Sequence, residues 1–183
     1  MLGPMKSLLR LVSFGALVLA TASCRAPQSD YRPTSTLKDI MDSMIDPSAD
    51  DIWNSVATVV TIAGTEERAP STDDEWKAVR RAAVTLLEAT NLVVMPGRHV
   101  ARAHEKSENP GVELEPEQME ALITQNREAF VTLAHGLHDS TLEALKAVDE
   151  KNVKNLFDAG EHIDTACENC HQRYWYPPGA KKP

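Results

Sequence analysis

The sequence predicts an all-α domain, and three observations predict it. Apolar residues recur at three- and four-residue steps through several long segments bounded by capping or breaking residues. Aromatic residues make up only 5% of the chain, and few segments alternate Val, Ile, Thr and Tyr with polar residues, so a sheet would lack its usual material. With 183 residues, 42% hydrophobic and 25% charged, the chain has the size and balance of one globular domain around one core.

The first stretch stands apart from that domain. Lys6 and Arg10 precede an apolar run over residues 11–20, and the small residues Ala20, Thr21, Ala22 and Ser23 follow, the pattern of a secretory leader over residues 1–23. The run is shorter than the ~20 residues a membrane-spanning helix needs. Two cleavage readings compete. Ala20-Thr21-Ala22 suits a conventional signal peptidase, whereas Thr21-Ala22-Ser23-Cys24 resembles a bacterial lipoprotein box with a weak first position. The lipoprotein reading is favoured because Cys24 would otherwise be an unpaired thiol in a disulfide-permitting compartment. The expected location is the periplasm, with a membrane tether through lipidated Cys24. Residues 24–36, with Pro27, Ser29, Pro33, Thr34 and Ser35, read as a polar tether.

Cleavage after residue 23 removes two cations and no acid, taking the formal charge from −8 to −10. Nucleic acid is therefore excluded as a partner, since phosphate binding needs clustered Lys and Arg. A protein partner with a basic docking surface would be steered toward the chain; solubility alone accounts for the charge equally well.

The domain spans residues 37–176. Leu37, Ile40, Met41, Met44 and Ile45 start a first helix. Asp46-Pro47 interrupts it, with Asp46 as N-cap of a restarted helix that carries Ile52, Trp53, Val56, Ala57 and Val60. Residues 64–70 connect to a second helix, opened by a capping box at Thr72-Asp73-Asp74-Glu75. Its buried face carries Trp76, Val79, Ala83, Leu86 and Val93, and Met95-Pro96-Gly97 ends it. Residues 97–115 form the longest irregular stretch, suited to pass over one end of the helices. A long third helix runs through Met119, Leu122, Ile123, Phe130, Leu133, Leu137, Leu142 and Leu145, with Gly136 a mild flaw. The last helix, over residues 151–174, turns Val153, Leu156, Phe157, Gly160, Ile163, Cys167, Cys170, His171 and Tyr174 to one side, and residues 177–183 are a tail.

Chemistry concentrates on that last face. Cys167-Glu168-Asn169-Cys170-His171 matches the Cys-x-x-Cys-His pattern of covalent haem attachment. On a helix these positions share one face, so both thiols can add to the vinyl groups of one porphyrin while the imidazole of His171 reaches its iron from the same side. Zinc would want four ligands, and no second Cys-x-x-Cys exists. A thioredoxin-like dithiol belongs at the start of a helix after a strand. A disulfide between the two cysteines would leave His171 unexplained.

With this motif near the end of a fourth helix, behind three amphipathic ones, the chain resembles the cytochrome c-prime class of monohaem c-type cytochromes, including its low-spin relatives. The resemblance covers residues 35–176, and its specific part is the haem motif and the helix order. It implies an up-down-up-down four-helix bundle with one haem c between its helices, in a class where a homodimer is common. In that class the position opposite the His is empty, shielded by an apolar side chain, or filled by a Met of the first helix. Met41 is expected as the second iron ligand, Met44 as its alternative and Met95 as a distant third; the competing reading is that Met at helical spacing packs the core. A bis-His iron through His99, His104, His135 or His138 is an alternative, but these and His162 are expected to be surface or packing residues. Arg98 is the candidate partner of the haem propionates, with Arg80, Arg81 and Arg102 as alternatives. Trp53 and Tyr174 are candidates to pack on the haem, or equally to be ordinary core. Gas-binding members commonly carry an Arg four residues after the haem-binding His, where this chain has Trp175. The expected function is one-electron transfer with no substrate transformed. The alternative is a five-coordinate protein binding nitric oxide or carbon monoxide, and a peroxidase-like enzyme is the third reading.

Overall fold

The computed structural model describes residues 31–177; the leader, Cys24 and most of the tail lie outside the described residues. The fold is mainly helical, with one small hairpin that the sequence reading did not anticipate.

Helix α1 (Leu37–Ile40) starts at Thr36, whose hydroxyl accepts the Asp39 amide at 3.1 Å while the Asp39 carboxylate accepts the Thr36 amide at 2.9 Å. It runs without a break into a π-helical segment (Met41–Ile45) and then α2 (Asp46–Ser55). Asp46 therefore does not cap a restarted helix: it makes no side-chain cap bond, and its amide donates to the Met41 carbonyl five residues back. The wider turn gives the Pro47 ring room against the preceding turn, where Pro would otherwise clash and leave a carbonyl unpaired.

The expected continuation through Val56, Ala57 and Val60 is corrected. Val56 turns extended (φ −133°, ψ 119°), and β1 (Ala57–Thr61) pairs antiparallel with β2 (Gly64–Arg68), Ala57 opposite Arg68 and Thr61 opposite Gly64. Two causes act together. The run Thr58-Val59-Val60-Thr61 is β-branched throughout, and Gly64 supplies the φ of +134° that closes the short connection.

Helix α3 (Asp73–Val93) opens on the predicted Thr72–Glu75 capping box and buries Trp76, Val79, Ala83, Leu86 and Val93 as expected. The expected long third helix is two helices, α4 (Pro116–Gln125) and α5 (Arg127–Asp149), broken at Asn126. Asn126 leaves helical geometry (φ −140°, ψ 68°), and its side chain accepts the Ala129 amide at 3.1 Å, so it caps α5 rather than continuing α4. Helix α6 (Val153–Tyr174) is capped by Asn152 through the Asn155 amide at 3.0 Å. Its inward face is narrower than expected: Leu156, Gly160, Ile163 and Tyr174 are buried, whereas Val153 and Phe157, in the first turns, stand exposed.

The core lies where α5 packs against α3 and α6, with α2 closing on α3 and α6. Ile52, Leu86, Leu156 and Ile163 are fully buried there. Residues 97–115 are irregular but anchored. The amides of Leu37 and Lys38 donate to the carbonyls of His99 and Val100 at 2.9 and 3.0 Å, and the Leu114 amide donates to the Trp175 carbonyl at 2.8 Å. That stretch thus ties the start of α1 to the end of α6.

Candidate cofactor site

Where those two ends meet, the described residues line a half-open cavity of about 350 Å³, within the range of ~300–1,000 Å³ usual for small-molecule and cofactor sites. Leu37, Lys38, Met41, Asp42 and Asp46 line it from the first helix, Val100, Lys106 and Glu108 from the irregular stretch, Met119 and Ile123 from α4, and Phe130 from α5. The C-terminal end of α6 contributes Cys170, His171 and Tyr174, followed by Trp175. Its wall is chiefly aliphatic and aromatic, with charges at Lys38, Lys106 and the acids around them.

The motif residues sit as helical spacing requires. Cys167 and Cys170 are half-buried, unpaired thiols packed against the core, and Cys170 and His171 face the cavity. Burial pushes the Cys167 thiol up to about 12, assisted by the nearby carboxyl of Asp46, and the Cys170 thiol up to about 11. Burial thus favours the protonated thiol at both cysteines. Burial lowers the His171 pKa, opposed by the Glu168 carboxylate, so the neutral imidazole with a free lone pair is favoured. The ring meets Trp175 edge to face, with centres 4.6 Å apart.

The remaining predicted residues divide. Met41 lines the cavity with His171; Met44 does not, and packs half-buried against the core. Tyr174 lines the cavity and is buried, its ring at 84° to that of Phe130, with centres 5.3 Å apart. Trp53 is elsewhere: its indole nitrogen donates to the Gly160 carbonyl at 2.9 Å, and its ring lies so close that a Cβ on residue 160 would stand 3.2 Å away. Small size at Gly160 thus serves the α2–α6 contact, and Trp53 takes its core role. Arg98 also points away. Its Nε donates to the Leu92 carbonyl at 2.8 Å, closing the end of α3, and its Nη1 donates to the Ser35 carbonyl. Met95 is held there too, 3.6 Å from Arg98 Nη2. Of the six histidines, only His171 lines the cavity; His99 pairs with Glu120 and His162 with Glu143, at 2.7 and 2.6 Å.

Among the lining residues that sequence reasoning did not place at the site, three stand out. Lys38 and Lys106 are the cations at the cavity, and Lys38 bridges to Glu105 at 3.3 Å and Glu108 at 2.5 Å. Met119 on α4 is a second thioether in the same wall. Its helical spacing marked it as inward-facing, but only the tertiary fold brings α4 to the cavity.

No protein-family model, characterised protein or solved structure matches the chain.

Proposed function

We propose that the chain is a c-type cytochrome that carries one electron at a time on a single haem, bonded through Cys167 and Cys170 and ligated by His171 and Met41. The observation that carries this reading is the meeting of Cys170, His171 and Met41 in the wall of one largely apolar cavity, with Cys167 one turn back and both thiols unpaired. The donor set fits the group. Protonated thiols are what addition across two vinyl groups consumes, and a neutral imidazole with a thioether is an axial pair suited to electron transfer. Haem bound there would supply the change between ferric and ferrous iron. The chain's own part is to hold the imidazole and thioether and to line the site with Phe130, Ile123 and Tyr174, while Lys38 and Lys106 are held in ion pairs with the chain's own acids.

On this reading the first helix, α3, α4 with α5, and α6 are the four arms of a bundle. The acidic surface suits a basic redox partner, and the leader would deliver the chain to the periplasm, tethered through Cys24. No helix among the described residues is long and apolar enough to cross a membrane.

The test is an optical spectrum of the chain produced with haem-maturation machinery, recorded oxidised, reduced, and reduced under carbon monoxide. Expected is a low-spin spectrum with a sulfur-to-iron charge-transfer band, resistant to carbon monoxide. Met41→Ala removes that band and Met44→Ala leaves it. A high-spin spectrum that shifts promptly under carbon monoxide would instead support the gas-binding reading. A chain that acquires no covalent haem would sink both.

A further inference from the structure

Trp175 follows α6 directly, four residues after His171, and its indole meets the imidazole at 85° with ring centres 4.6 Å apart. Tyr176 adds a second edge-to-face contact with His171, at 6.5 Å and 79°, and stacks on Trp175 with planes 8° apart. The end of α6 makes this possible: the Trp175 amide donates to the His171 carbonyl at 2.8 Å as in an ordinary helical turn, and the Tyr176 amide donates to the same carbonyl at 3.0 Å. Trp175 is also held from the opposite side. Its carbonyl accepts the amide of buried Leu114, where the irregular stretch returns to the cavity. The indole is thus tied at its backbone to two separate parts of the fold.

A metal-bound imidazole needs its ring plane held, and the usual device is a hydrogen bond at its second nitrogen. At this site the ring neighbours of His171 are Trp175 and Tyr176, while the Glu168 carboxylate three residues back acts on the imidazole electrostatically. The attraction between the positive edge of one ring and the negative face of another favours a perpendicular arrangement. An indole anchored by its backbone can therefore set the tilt of a neighbouring imidazole without bringing a charge to it.

We propose that Trp175 is a positioning residue that fixes the plane of the His171 imidazole, and so the direction of its bond to the iron; the iron half of this inference rests on the haem reading above. Two experiments separate the proposal from that reading. In the haem-loaded chain, electron paramagnetic resonance of the ferric form reads the orientation of the axial imidazole. Trp175→Phe, which preserves an edge-to-face partner, is expected to keep the wild-type line shape. Trp175→Leu and Trp175→Ala are expected to give broadened or multiple signals at unchanged haem content and helicity. A wild-type line shape in Trp175→Leu at full haem content overturns the proposal, and this variant decides the matter should Trp175→Ala fail to fold.

If the wild-type chain takes up no haem, the cytochrome reading fails, and the positioning claim is then tested in the haem-free chain by the chemical shifts of the His171 ring protons. Ring currents from Trp175 should displace them from free-histidine positions, and Trp175→Leu should return them toward those positions. Shifts unchanged by Trp175→Leu overturn the positioning role as well.

Discussion

Helix α3 and the first helix begin alike and then part. Each opens on a threonine whose hydroxyl accepts an amide three residues on, while the acidic side chain there accepts the threonine's own amide. From that start α3 runs unbroken from Asp73 to Val93. The first helix widens into π geometry after one turn and stops at Ser55. Of these two, the first helix alone lines the cavity, through Leu37, Lys38, Met41, Asp42 and Asp46. Regular geometry serves the scaffold and irregular geometry accompanies the site, as π turns often do. A wide turn changes which residue faces inward, and here Met41 and Met44 both pack against the core but Met41 alone of the two also lines the cavity.

Truncations in the core test how far the two helices are equal. Leu86 in α3 and Ile52 in α2 are both fully buried, so Leu86→Ala and Ile52→Ala should each cost about 2–5 kcal/mol in urea unfolding. A much smaller cost at Ile52 would mean that the first helix is not anchored as α3 is. Next come the caps. Thr72→Ala and Thr36→Ala should each cost about 1 kcal/mol, and a larger loss at Thr36 would show that the start of α1 also depends on the carbonyls of His99 and Val100. Smaller again in stability, but sharper in geometry, is Pro47→Ala. The wide turn already relieves the clash a proline makes inside a continuous helix, so its removal should shift stability by less than about 1 kcal/mol. Yet it restores an amide able to close an ordinary turn. Hydrogen exchange over residues 41–47 should report the new pattern, and the sulfur-to-iron band should weaken as Met41 turns away. Unchanged exchange and an unchanged band would mean that Pro47 is not the cause of the wide turn.

How much of this was legible beforehand depends on the range of the interactions. The start of α3 was readable because Thr72 and Glu75 complete their exchange within four residues. The helix under Cys167, Cys170 and His171 was readable for the same reason. The hairpin was not, because the apolar run over residues 56–62 suits a buried helix or a strand, and its β-branched content was outweighed by the helical rhythm before it. The break at Asn126 was hidden because apolar spacing resumes in phase on either side of it. Arg98 misled for a different reason: a cation just past a helix end can turn back onto that helix's own carbonyls, and this one does. Lys38 and Lys106 reach the cavity from segments far apart in sequence, so nothing local announced them.

The two capping acids also separate by pH. The amides and hydroxyls of Ser71 and Thr72 hold the Glu75 carboxyl down to about 2, from an ordinary 4.5. Asp39 is lowered by the Thr36 amide, then the Thr36 hydroxyl, with the Arg102 guanidinium adding to them. A group whose pKa falls on folding contributes stability that is fully present above its unfolded value and lost as pH falls through the folded one. For Glu75 that window runs from 4.5 down to about 2. Unfolding midpoints of the wild type and Glu75→Gln should therefore differ at neutral pH and converge toward the bottom of that window. Gln keeps an oxygen to accept the amides and loses only the charge, and the site is exposed, so the gap should be small and narrow further in salt. A gap that persists when Glu75 is protonated would mean that side-chain geometry, not charge, carries the cap. Asp39→Asn adds the contrast. Arg102 lies far along the chain and reaches Asp39 only through the irregular stretch, so this loss should also loosen the cavity's cover, as faster hydrogen exchange at the Leu37 and Lys38 amides would show.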